Sequence, residues 1–215
     1  MESNAGGPAG DSRIGLDLVA PEVYAPTLRR LALIAAGIGV AAALLAATVA
    51  SWPVALAIGL AVGAPTAGYA LASRRRRMWL HGTTIHAQRV LGARTIEVAA
   101  ANGVELLVFP GRLSRVVLRL TAGPDTQIIP LAMYTDAGSG RELHLLGLRK
   151  LADALAASHL AAAVAVSGVL VRQLRAEARD AALGERPLYR AVQFARAKDL
   201  VSPIVLTDRE VAELN

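Results

Sequence analysis

The chain contains no cysteine, which excludes disulfide bonds, thiolate nucleophiles and cysteine-ligated metal sites together. Lysine is nearly missing too: Lys150 and Lys198 are the only ones, so arginine carries the positive charge. The most informative gap is regional. Between Leu31 and Ala72 there is no Asp, Glu, Lys or Arg. Proton relays, ion paths and transporter sites place an ionisable group inside the bilayer, so this stretch reads as an anchor and not as a channel, pump or transporter.

What is present explains the gap. The apolar fraction is 54%, above the roughly 45–50% of soluble domains, and the mean hydropathy is +0.43. A helix needs about 20 apolar residues to cross roughly 30 Å of hydrocarbon. Residues 31–50 and 54–72 each meet that requirement, joined by Ser51, Trp52 and Pro53. Arg29 and Arg30 precede the first stretch and Arg74, Arg75, Arg76 and Arg77 follow the second, while the turn is uncharged. By the positive-inside rule this is a plasma-membrane hairpin, multi-pass, with both termini cytoplasmic. A cleaved signal peptide is disfavoured, because Asp11, Asp17 and Glu22 interrupt the first 28 residues. The net charge of +6 follows largely from this topology, so no nucleic-acid partner is assigned. The expected lipid-interface set is Arg29, Arg30, Trp52, Arg74, Arg75, Arg76, Arg77 and Trp79.

Small residues recur along the second span at Ala55, Gly59, Gly63 and Ala67. Gly59 and Gly63 form a GxxxG pair, which lets two helix backbones approach closely. The expected partner is the first helix, lined by Gly39, Ala43 and Ala47, with a homodimer or contact with another membrane protein as the alternative. Pro65 is expected to kink the second helix.

Beyond residue 78 the pattern changes. Alternating stretches rich in Val, Ile, Leu and Thr predict strands at 83–88, 94–99, 105–109, 115–121, 126–134 and 142–145. The breaks carry turn chemistry, as in Asn102-Gly103, Pro110-Gly111 and Gly123-Pro124-Asp125. Leu145, Leu148, Leu151 and Leu155 then follow helical spacing. The fold class is α+β: a transmembrane helical hairpin, an antiparallel β domain capped by a helix, a further helix and a short tail.

The segment GRELHLLGLRKLADALAAS at 140–158, with the hairpin and the basic junction Arg74 to Trp79 before it, resembles the small pleckstrin-homology-like domains of actinobacterial two-helix membrane proteins. The resemblance spans residues 30–158. It implies two curved sheets capped by a helix, and little about activity, since such modules serve as lipid-facing, peptide-binding or scaffold elements.

The expected organisation is a disordered segment at 1–28, with Pro21 and Pro26 giving an extended approach, then the hairpin at 29–73. The pleckstrin-like domain follows at 74–158, an amphipathic or buried helix at 159–183 and a docking tail at 184–215. The run 160–171 is too short to span a bilayer on its own, although it is apolar enough to pose the question. Gly184 stands where a helix C-cap is expected. In the tail, 201–206 reads as an edge strand containing Pro203, and Thr207 to Glu210 as a capping box.

No catalytic pattern emerges. His81 and His86 fall on opposite faces of an extended strand, so they cannot share a metal without a turn between them; His144 and His159 are isolated. Gly138-Ser139-Gly140 lacks nucleophile-elbow spacing and a P-loop lysine. Glu97, Glu105, Asp125 and Asp136 read as exposed carboxylates. The expectation is a non-enzymatic scaffold or accessory protein with no cofactor or metal, whose partners are the bilayer and either a second protein or another copy of itself. The alternatives are a module responsive to anionic lipid and, after it, a small transporter component or enzyme.

Overall fold

A computed structural model describes residues 13–18, 21–73, 77–89, 92–198 and 202–214. The chain divides into a helical unit at 19–77 with 88–93, and a second unit at 1–18, 78–87 and 94–215.

The helical unit contains α1 (Pro21–Ala46) and α2 (Trp52–Ser73). Both are long and apolar enough to cross a membrane. Their large side chains point outward: Leu33, Leu44 and Leu45 are 64%, 67% and 73% exposed, while Ala35, Ala55 and Ala70 are buried. That is the reverse of an amphipathic helix pair in water, which turns its large residues inward. The expected extended approach is helical instead. Proline is tolerated in a first turn because its missing N–H has no partner there, and α1 continues through Pro26. The turn also sits earlier than expected. α1 ends at Ala46, Thr48 Oγ1 donates to the Leu45 carbonyl at 2.7 Å, and Trp52 and Pro53 open α2. α2 continues past Pro65.

The second unit holds two sheets. In the first, β1 (Ile14–Gly15), β2 (Arg77–His81), β3 (Thr84–Gln88) and β4 (Ala93–Glu97) lie side by side in chain order. The strands β1 and β2 were absent from the sequence pattern, and β1 falls within the segment expected to be disordered. Its antiparallel register sets Ile14 opposite Leu80, and Leu16 beside it is fully buried. Residues 1–12 lie outside the described residues.

The other sheet contains β5 (Gly103–Phe109), β6 (Leu113–Ala122), β7 (Asp125–Thr135), β8 (Gly140–Glu142) and β9 (Ile204–Val205), in the order β8-β7-β6-β5-β9. Gly123, at φ 58°, turns β6 into β7, a backbone setting that favours glycine in a two-residue hairpin. The register slips between Val116 and Val117, opposite Ala132 and Pro130. Such a bulge is where an interior strand accommodates a proline that cannot donate to the ladder.

Helix α3 (Leu145–Ala156) buries Leu148, Leu151 and Leu155. Helix α4 (Ala161–Ala178) buries Ala163, Val166, Val169 and Leu170 in the same core. Ser167 Oγ joins the two helices by donating to the Ala152 carbonyl at 2.8 Å. The apolar run 160–171 is thus a core helix. It ends before Gly184: Asp180 takes the left-handed conformation at φ 50°. The Asp180 and Ala181 N–H groups then close on Glu177 and Ala176 carbonyls at 3.0 and 2.9 Å, a Schellman stop made without glycine. Gly184 lies in a 3-10 turn, Leu183–Glu185.

The tail is built into the unit. Helix α5 (Pro187–Ala197), absent from the sequence pattern, buries Leu188, Ala191, Val192 and Ala195. Strand β9 extends the sheet at β5, pairing Ile204 with Val108. Helix α6 (Asp208–Leu214) buries Val211 and Leu214. Its capping box is formed: the Thr207 N–H donates to Glu210 Oε2 at 2.9 Å and the Glu210 N–H to Thr207 Oγ1 at 3.4 Å. Lys198 pairs with Glu210 Oε1. That bond first, and the Thr207 N–H second, holds the Glu210 carboxyl down to about 2. A depressed carboxyl stabilises fully above its ordinary value and loses this contribution as pH falls toward the folded value. Protection of the α6 amides, taken as exchange relative to the unstructured chain at the same pH, is therefore expected to fall between about pH 4.5 and about pH 2. Glu210→Gln should exchange faster already at neutral pH and respond less to acid; equal acid profiles in both proteins would refute the assignment.

Candidate functional site

The expected membrane-interface residues fall in different parts of the chain. Arg29 and Arg30 are exposed on α1 and Arg77 at the start of β2. Trp52 is 75% exposed at the start of α2. Arg74, Arg75 and Arg76 lie outside the described residues. Trp79 belongs to the sheet of the second unit, where its ring has partners of its own. It stacks on His86 with centroids 5.4 Å apart and planes 9° from parallel. The Arg13 guanidinium lies 5.9 Å from the same ring's centroid, as a cation–π contact.

The two histidines differ from their sequence reading. Gly82 and Thr83 form the turn that folds β2 onto β3, so the rings of His81 and His86 meet edge to face at 6.4 Å. His86 Nδ1 lies 3.3 Å from Thr95 Oγ1. Among the described residues, no group of three His, Cys, Asp or Glu side chains could hold a metal ion.

The glycines of α2 meet α1 directly. A Cβ on Gly59 would lie 2.6 Å from the Gly39 carbonyl oxygen, and one on Gly63 would lie 2.9 Å from that of Ala35. Only glycine permits this approach at these positions. The first helix is thus the partner of this GxxxG pair. A shallow apolar groove of about 290 Å³ runs along the same seam, with Ala36, Leu56 and Leu60 on its walls.

The densest polar cluster was not visible in the sequence. Glu142, at the end of β8, has a side chain only 9% exposed. Tyr134 donates its hydroxyl to Glu142 Oε1 at 2.5 Å. Gln173 Nε2 and an Arg186 terminal nitrogen both donate to Oε2, at 2.7 and 2.9 Å. Gln173 returns its carbonyl to the Leu188 N–H at 3.1 Å, fastening the first turn of α5. One carboxylate thus ties β7, β8, α4 and α5 together. Burial, then the Glu142 charge, pushes the Tyr134 phenol far up, so it remains a hydrogen-bond donor. Burial and the same charge push the Glu177 carboxyl up, and its Oε2 is enclosed without a hydrogen-bond partner. The arrangement is a clamp: its donors all face a group belonging to the fold itself. Its members are separated by tens of positions and share no local motif.

No protein-family model, curated protein or solved structure matches the chain.

Proposed function

We propose that the chain is a non-enzymatic membrane-anchored scaffold or accessory protein, presenting a pleckstrin-homology-like module at the cytoplasmic face of the plasma membrane. The observation that carries this reading is the joining of an outward-apolar helix pair to a separately packed α+β unit. The hairpin supplies the anchor; the arginines on its flanks argue for cytoplasmic termini. Two antiparallel sheets with α3 in their shared core support the pleckstrin-like assignment, to which α4, α5, β9 and α6 are additions.

A surface for a protein partner is offered by Leu145 and Leu146, which are 44% and 46% exposed in the first turn of α3. Removing 186–214 would be a poor test, because it strips buried residues such as Leu188, Val192 and Leu214 from the core. The better experiment purifies the full chain in mild detergent and identifies what travels with it. A partner at fixed ratio, lost in a folded Leu145→Glu/Leu146→Glu variant, is the expected result. A lone chain or homodimer carrying only lipid would overturn the scaffold reading.

A second reading, a module responsive to anionic lipid, is favoured by the exposure of Arg29, Arg30 and Arg77. It requires vesicle binding that weakens with salt and on neutralising Arg74 to Arg77.

A further inference from the structure

Arg172, Arg175 and Arg179 stand at positions i, i+3 and i+7 of the helix α4 and its C-cap, so they share one face. Arg190 of α5 faces the same space. Together with Glu185, Pro187 and Leu214 these arginines line an open cleft of about 490 Å³.

The charge in this cleft is left standing. Arg94, Arg119, Arg186, Arg196 and Arg209 each have a carboxylate partner. None of the four cleft arginines has one among the described residues. Two are steadied by neutral acceptors: Arg179 Nε donates to the Arg175 carbonyl at 3.3 Å, and Arg190 to the Glu213 carbonyl at 3.2 Å. Arg190 also lies 6.0 Å from the Phe194 ring centroid. The only acid on α4, Glu177, lies on the side of the clamp, where burial first and the Glu142 charge second push its carboxyl up. Like charges at i+3 and i+4 disfavour a helix; the α4 C-terminal dipole offsets part of that cost. A concave surface holding several unpaired guanidinium groups concentrates positive potential.

We propose that this cleft binds a small molecule bearing two or more phosphate groups. The guanidinium fork matches phosphate oxygens two at a time, which lysine cannot do. The volume suits a small ligand, while a flat bilayer surface does not follow a concavity. Ala176, Ala178, Pro187 and Leu214 offer limited apolar contact for the organic part of the ligand. The assignment goes beyond the scaffold reading and does not depend on it.

The test titrates the full chain, in a zwitterionic detergent, with inorganic tripolyphosphate by calorimetry. Saturable binding at one site per chain is expected, weakening as salt is raised. Arg175→Glu/Arg179→Glu should weaken it roughly tenfold or more. Arg149→Glu, which makes a charge reversal on the exposed face of α3, should leave it unchanged. Should the double reversal fail to fold, Arg172→Gln/Arg190→Gln is expected to lower affinity while preserving the thermal transition. Parallel arms use hexaglutamate and phosphatidylglycerol vesicles. Absence of tripolyphosphate binding, or equal loss in Arg149→Glu, overturns the proposal. So does binding of hexaglutamate or vesicles that tripolyphosphate does not displace.

Discussion

Glu142→Ala is expected to destabilise the second unit by about 3–5 kcal/mol, the usual cost of removing one partner from a buried ion pair. The substitution takes the acceptor from three donors at once: the Tyr134 hydroxyl, the Gln173 amide and the Arg186 guanidinium. Arg186 is left with its side chain 21% exposed and no counter-charge from Glu142. The Glu177 carboxyl lies within electrostatic reach of Arg186 and offsets part of that loss. Glu105→Ala is the internal comparison. It also breaks an arginine pair, with Arg119, but there the side chains are 39% and 36% exposed, and the expected loss is below about 1 kcal/mol. Denaturant unfolding of the full chain in detergent, followed through the second unit, measures both. Equal losses in the two variants would show that the buried cluster contributes no more than a surface pair.

Gly59→Leu is expected to force α1 and α2 apart. A single methyl there would already overlap the Gly39 carbonyl oxygen and the Ala43 side chain, at 2.6 and 2.7 Å. Overpacking in a close contact costs about 1–3 kcal/mol, and backbone atoms on the facing helix cannot step aside as a side chain would. Gly37→Leu supplies the comparison, because nothing lies within 4 Å of a Cβ at that position. The lack of native cysteine allows spin labels at Leu33→Cys and Leu71→Cys, both outward-facing sites at 64% and 54% exposure. Gly59→Leu should lengthen the label separation and lower the detergent melting point, with Gly37→Leu close to the parent. An unchanged separation would mean that the glycines do not set the helix approach.

The parts of the fold that were legible in the sequence depend on neighbours along the chain. A charge-free apolar run fenced by arginines, an alternating strand, a Gly-Pro turn and the Thr207–Glu210 capping box each declare themselves within a few positions. The interior strands β5, β6 and β7 came out with small boundary shifts, and α3 was set by its leucine spacing. Where two local rules competed, the reading failed. Prolines 21 and 26 suggested an extended approach, yet a first-turn proline suits a helix. Gly184 looked like the cap, but Asp180 adopted the left-handed turn four residues earlier.

Residue order alone determined that this chain carries an anchor-like apolar helix pair and a separate α+β portion, because hydropathy and charge act at every position regardless of fold. Tertiary structure decided which residues meet. Strand β1 exists because Ile14 pairs with Leu80, far along the chain, and Arg186 reaches Glu142 across 44 positions. The four cleft arginines converge only once α5 has packed beside α4. Such contacts depend on how loops close and cores fill, and those long-range energies leave no periodic trace in the sequence.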